Sequence, residues 1–143
     1  MPKLRDDLWN LVDFFEREEF RDDPDFCSPL LVLAMDRLRK FSETPIIIHQ
    51  CWAADGHVGH SYHYTGQAVD FHFQEGLSPK EEFAAVCAMP EFMGIGYYPL
   101  WGPRPGWHVD MRSKRVRLYW CRNNSFYHYG FKHIAKALDG NNS

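Results

Sequence analysis

The chain has 143 residues, of which 45% are hydrophobic and 24% charged, and its formal net charge is −3. That length carries one domain with a core of its own, and the composition excludes a disordered chain. The mildly acidic balance gives no footprint for a nucleic acid, and no stretch is long and apolar enough for a membrane span.

Taken in chain order, the first residues, Met1 to Asp7, are charged and lack the apolar core of a signal segment. The expectation is a cytoplasmic protein as synthesised, which leaves only if another factor releases it. From Leu4 to Phe20, Leu8, Leu11, Val12 and Phe15 recur at helical spacing and predict a first amphipathic helix. Ser28-Pro29 predicts a helix start, with serine as cap and proline in the first turn, running to about Phe41. Its expected buried stripe is Leu30, Leu31, Ala34, Leu38 and Phe41. Pro45 to Ile48 reads as a strand in the interior of a sheet.

A loop rich in glycine and histidine, Ala53 to Gly66, leads into an alternating segment. Ala68, Asp70 and His72 share one face of that strand, and Val69, Phe71 and Phe73 share the other. Ser78-Pro79-Lys80-Glu81 is a capping box for a helix carrying Phe83, Val86 and Cys87 and stopping near Pro90. Three strands are expected at Gly94–Tyr98, Trp107–Met111 and Arg115–Cys121, then a short helix at Phe131–Leu138. The basic run Arg112, Lys114, Arg115, Arg117 reads as a solvated strand face. The four cysteines are far apart and form no Cys-x-x-Cys, which argues for reduced thiols rather than a redox or structural-zinc motif. Helices first and strands later imply one α+β domain over the whole chain, with helices on one face of a small antiparallel sheet, and a monomer is expected.

The chemistry concentrates in two islands. Asp70 lies on the polar face of one expected strand, and His108 and Asp110 lie on the polar face of another. If the two strands are neighbours, these groups meet, and His63 enters from the turn before the first strand, with Gly66 letting the chain double back. Two imidazoles and one carboxylate suit a catalytic zinc, because three protein ligands leave a fourth position for water. Each residue also has a plainer reading. A histidine in a turn is commonly a surface group, Asp70 is a turn cap in that view, and His108 and Asp110 form a supporting pair.

Ser61-Tyr62-His63-Tyr64-Thr65-Gly66-Gln67-Ala68-Val69-Asp70 resembles the Ser-x-His-x-x-Gly-x-Ala-x-Asp signature of peptidase family M15, the zinc D-Ala-D-Ala carboxypeptidases and murein endopeptidases. Gly94-Ile95-Gly96-Tyr97-Tyr98 with Trp107-His108-Val109-Asp110-Met111-Arg112 is similar to the second signature of the branch that holds murein endopeptidases and phage lysins. The resemblance spans roughly Phe14 to Trp120. It implies a hedgehog/DD-peptidase-like fold, a Zn2+ cofactor held by His63, Asp70 and His108, and hydrolysis of bacterial peptidoglycan peptides. The hedgehog signalling domain carries the same first signature and acts as a binding module, so a non-catalytic zinc module recognising wall peptides or a protein partner is the alternative. A cytoplasmic amidohydrolase acting on small peptides is a third reading.

Two departures from the family pattern matter. Many members carry a Glu or Asp three residues before the last histidine; here that position is Pro105. The branch with Asp two residues after the histidine makes Asp110 the nominated catalytic base, against a role in orienting His108. Many members also carry Ser-Gly-Tyr-Arg-Ser after the early strand, where this chain has His49-Gln50-Cys51-Trp52-Ala53. Gln50, His57, His60, Arg112 and Tyr97 are therefore the candidate substrate-binding residues. Tyr98, Trp101 and Trp107 are further candidates for a groove lining.

Overall fold

The computed structural model describes residues 6–102 and 104–140. Six strands form one sheet: β1 (Ile46–Gln50), β2 (Ala68–Phe73), β3 (Gly94–Tyr98), β4 (Gly106–Asp110), β5 (Leu118–Asn123) and β6 (Phe126–Tyr129). Their spatial order is β1-β2-β4-β3-β5-β6. Four helices accompany them: α1 (Asp6–Trp9), α2 (Pro29–Ser42), α3 (Pro79–Cys87) and α4 (Phe131–Leu138). The fold is α+β, as expected, but the sheet is mixed rather than antiparallel, because β3 and β5 run parallel. The hairpin partner β3 lies between β4 and β5, so the segment after β4 steps across one strand before pairing resumes.

Alternation sorts the two faces. Val69, Phe71 and Phe73 from β2, Ile95 and Tyr97 from β3, and Trp107 and Val109 from β4 share one buried cluster with Leu31, Met35 and Leu38 of α2 and Val86 of α3. Burying side chains of this size at about 25 cal/mol per Å² of apolar surface is the main stabilising term. The opposite face bears Asp70, His108, Gly96 and Trp120.

Several expectations need correction. Leu4 lies outside the described residues, and the first helix is only Asp6–Trp9, followed by a 3₁₀ turn at Arg17–Phe20. The buried carboxylate of Asp36 accepts the backbone N–H groups of Asp13 (3.0 Å) and Phe14 (2.8 Å), which draws the chain out of helical geometry. The stripe of α2 is rotated from the expected one. Leu30 and Phe41 are exposed, and Leu31, Ala34, Met35 and Leu38 face the core at i, i+3, i+4 and i+7. Ser28 is the N-cap of α2 but makes no side-chain cap bond. The strand after Pro45 is an edge of the sheet, not its interior.

The basic run is not a strand face either. Arg117 donates to the carbonyls of Phe92, Met89 and Cys87, which ties the end of α3 and the chain beyond it to the start of β5. The capping box of α3 is present on both sides, Ser78 Oγ with the Glu81 N–H and Glu81 with the Ser78 N–H. All four cysteines are free. Among the described residues no helix is long and apolar enough to cross a membrane.

Candidate metal centre

The pairing register builds the site as a row across the sheet. Asp70 of β2 stands opposite His108 of β4, His108 opposite Gly96 of β3, and Gly96 opposite Trp120 of β5. With no side chain at Gly96, the Trp120 indole folds across β3 and lies 5.2 Å from the His108 ring, centroid to centroid. A Cβ at position 96 would stand 2.4 Å from that indole. Gly96→Ala is therefore expected to lower stability by about 1–3 kcal/mol, the usual range for overpacking, as read by urea unfolding. It would also break the Trp120 Nε1 bond to the Tyr98 hydroxyl (3.1 Å).

His63 reaches the row from a 3₁₀ turn, Tyr62–Thr65, capped by Ser61 Oγ on the His63 N–H. Gly66 ends the turn at φ +68°, and a Cβ there would collide with the Phe26 carbonyl. The doubling-back expected of Gly66 thus needs glycine twice, for its backbone angle and for the close approach. The His63 side chain is buried, and its Nδ1 lies 2.7 Å from the Cys51 carbonyl. A carbonyl only accepts, so Nδ1 carries the proton and Nε2 presents a lone pair.

That Nε2 is a buried polar atom with no hydrogen-bond partner among the described residues. It lies 3.1 Å from Asp70 Oδ2, close but without hydrogen-bond direction. His108 Nδ1 lies 2.9 Å from Asp70 Oδ1, and His108 Nε2 lies 2.8 Å from Asp110 Oδ2. One ligand atom each from His63, Asp70 and His108 falls within 4.8 Å of the others. The donor set fits a divalent ion. An orphaned imidazole lone pair, a carboxylate and a second imidazole converge, and the outer nitrogen of each ring is fixed by a fully formed acceptor.

The electrostatics describe the same place with a proton in it. Burial pushes His108 down, but its hydrogen bonds to Asp110 and Asp70 outweigh that and raise it to about 9. Asp70 is held well below the carboxylate range: burial opposes this, and its hydrogen bond with His108 leads what overcomes it. In the metal-free protein His108 is charged at pH 7, so its stabilisation is complete below its unfolded value near 6.5 and is lost as pH rises through about 9. The melting temperature of metal-free protein should fall across that window. A metal must displace the Nδ1 proton, so binding should release about one proton per ion at pH 7, measurable by calorimetry in buffers of different ionisation enthalpy.

Asp110 has no side-chain exposure. Its Oδ1 accepts from Arg112 Nε (2.8 Å) and its Oδ2 from Arg112 Nη2 (2.7 Å) as well as from His108. Burial raises its pKa, but Arg112 and His108 more than offset that and lower it to about 2. The enclosed carboxylate is tied to both His108 and Arg112, an arrangement that orients the His108 ring.

The triad opens into a cleft of about 710 Å³. His57, His60 and Arg112 line it. His57 stacks on His63 at 4.2 Å and 16°, and its Nε2 meets Gln50 Oε1 at 2.6 Å. Gln50 stands opposite Asp70 at a bulge in β1 and lines a smaller adjoining hollow, so it touches the cleft through His57. Tyr97 is a correction: it is buried on the helix side of the sheet against Trp107, 4.5 Å between ring centroids. Strand parity sends its neighbour Tyr98 to the cleft instead, stacked on Trp101 at 4.2 Å. Trp107, on the Tyr97 side, is also core.

No protein-family model matches the chain, and no curated protein sequence matches it. The sheet and the triad therefore rest on the chain's own geometry.

Sequence reasoning missed β6. Its residues Phe126 to Tyr129 follow Asn123-Asn124-Ser125, and Asn124 adopts φ +56°, a hairpin-turn signal that asparagine accepts readily. Through this hairpin Trp120, Arg122, Tyr127 and Tyr129 also line the cleft.

Proposed function

We propose that the chain is a zinc-dependent peptidase acting on peptides of the bacterial cell wall. One observation carries the reading: the buried, partnerless Nε2 of His63, aimed at the Asp70 carboxylate beside His108 in an open cleft. Support for the substrate class comes from the two motifs that resemble peptidase family M15. When bound, zinc supplies a Lewis acid for the scissile carbonyl and a water of lowered pKa.

The chain's own residues supply the rest. The Cys51 carbonyl and Asp110 hold the rings of His63 and His108 in the tautomers that point lone pairs inward. His57 Nε2–H donates to Gln50 Oε1, which leaves Nδ1 as an acceptor. Burial lowers the pKa of His57, which favours its neutral form near pH 7. In this reading His57 is the proton acceptor that Asp110 is too enclosed to be. Arg112 holds Asp110 and presents its outer surface between the rings of Tyr62 and Trp120, 5.1 Å from each.

The second reading, a zinc-binding module without catalysis, has one observation in its favour. The only carboxylates lining the cleft among the described residues are Asp70 and Asp110, and neither is free. Zymography on purified cell wall separates the two. The peptidase reading expects a clearing zone that a chelator abolishes, added zinc restores, and His108→Ala lacks. Zinc-loaded protein that binds wall material but releases no peptide would establish the module instead.

A further inference from the structure

Two arginines line the cleft, and they are in different states. Arg112 is neutralised by Asp110. Arg122, in β5, has no acidic partner among the described residues. Its Nη1 donates to the Tyr127 hydroxyl (3.1 Å), its Nε donates to the Asn124 carbonyl (3.3 Å), and its head lies 4.9 Å from the Tyr127 ring centroid. These contacts hold the guanidinium in place without cancelling its charge. They use two of its five N–H donors.

Position adds to chemistry. Trp120 abuts the His108 ring, and Arg122 follows two residues later on the same face of β5. β5 lies two strands from β4, so strand spacing and rise put the Cα atoms of His108 and Arg122 about 12 Å apart. The bonds of Arg122 to Tyr127 and Asn124 turn its guanidinium toward β6 and the hairpin, so it stays about that far from His108, a span of about three or four extended residues. The acids lining the cleft are Asp70 and Asp110 alone, so with a divalent ion in place the cleft is cationic and favours an anion. Tyr127 and Tyr129, with ring centroids 6.3 Å apart, form an exposed aromatic rim beside Arg122.

We propose that Arg122 is a carboxylate anchor, so that the cleft takes a peptide bearing a carboxylate about three or four residues from the group seated at the triad. The identity of that group rests on the peptidase reading; the anchor itself does not. The carboxylate has two sources in a peptide, a free C-terminus or an acidic side chain.

The test uses a synthetic cell-wall stem pentapeptide that carries one of each. Three forms are compared: unmodified, C-terminally amidated, and with the acidic side chain converted to its amide. Calorimetry on zinc-loaded wild type, Arg122→Gln and Arg122→Lys is expected to show the unmodified peptide binding about tenfold more tightly than one amide form. That form identifies the source. The discrimination should vanish in Arg122→Gln and persist in part in Arg122→Lys. Equal binding of all three forms by wild type, no measurable binding, or discrimination retained in Arg122→Gln would overturn the anchor. Zinc content and the same titration on metal-free protein are read in parallel. Missing zinc with intact carboxylate preference defeats the peptidase reading and leaves the anchor standing; one zinc without preference does the reverse.

Discussion

Asp110→Asn is expected to weaken zinc binding by about ten- to a hundredfold while leaving most of the turnover at saturating zinc, because in the proposed reading Asp110 orients His108 and takes no proton from substrate water. Asn still accepts from His108 Nε2 but carries no charge to meet Arg112. Asp110→Ala goes further. It leaves the Arg112 guanidinium largely enclosed without its partner and should lower unfolding stability by about 3 kcal/mol, the low end for a broken buried pair, since Arg112 keeps some exposure. Zinc titration, turnover and urea unfolding on the same samples separate the roles. A base at position 110 would show unchanged zinc affinity with turnover down by roughly a thousandfold at full zinc occupancy.

His63→Ala is expected to reduce zinc from about one ion per chain to less than about a tenth under the same loading conditions. It removes one of three ligands and the only buried ring lone pair without a partner among the described residues. Activity should fall with the metal. His60→Ala is the matched control: His60 is exposed and lines the same cleft, but it is not one of the three converging ligands. Equal zinc loss in both variants would mean that the chain binds zinc through surface histidines. Inductively coupled plasma analysis after dialysis reads the outcome, with circular dichroism to confirm that both variants are folded.

Much of the site was legible because strand alternation is rigid. The parity of Asp70 on one strand and His108 on another fixed which side chains share a face, and the register of β2 and β4 then put them directly opposite. The α3 capping box was legible for a similar reason, since it is a contact among residues three apart. What the sequence hid depends on distant partners. The first helix fails after Trp9 because Asp36, more than twenty residues on, captures two backbone N–H groups. The parallel placement of β5 depends on which edge of β3 is vacant, which no local pattern encodes. Tyr97 and Tyr98 differ by one residue, and only the pairing of β3 with β4 decides that Tyr98, not Tyr97, looks into the cleft. The sequence left Asp110 between a base and a support for His108, because its pairing with Arg112, two residues later, depends on side-chain conformation that no local pattern encodes.

The triad can be interrogated most directly by zinc-edge X-ray absorption on protein loaded with one equivalent of zinc. The account predicts two imidazole nitrogens at about 2.0–2.1 Å, a carboxylate oxygen, and an exchangeable light-atom ligand completing a four-coordinate shell. A shell containing sulfur, a fourth protein ligand in place of the exchangeable one, or a single imidazole would contradict it.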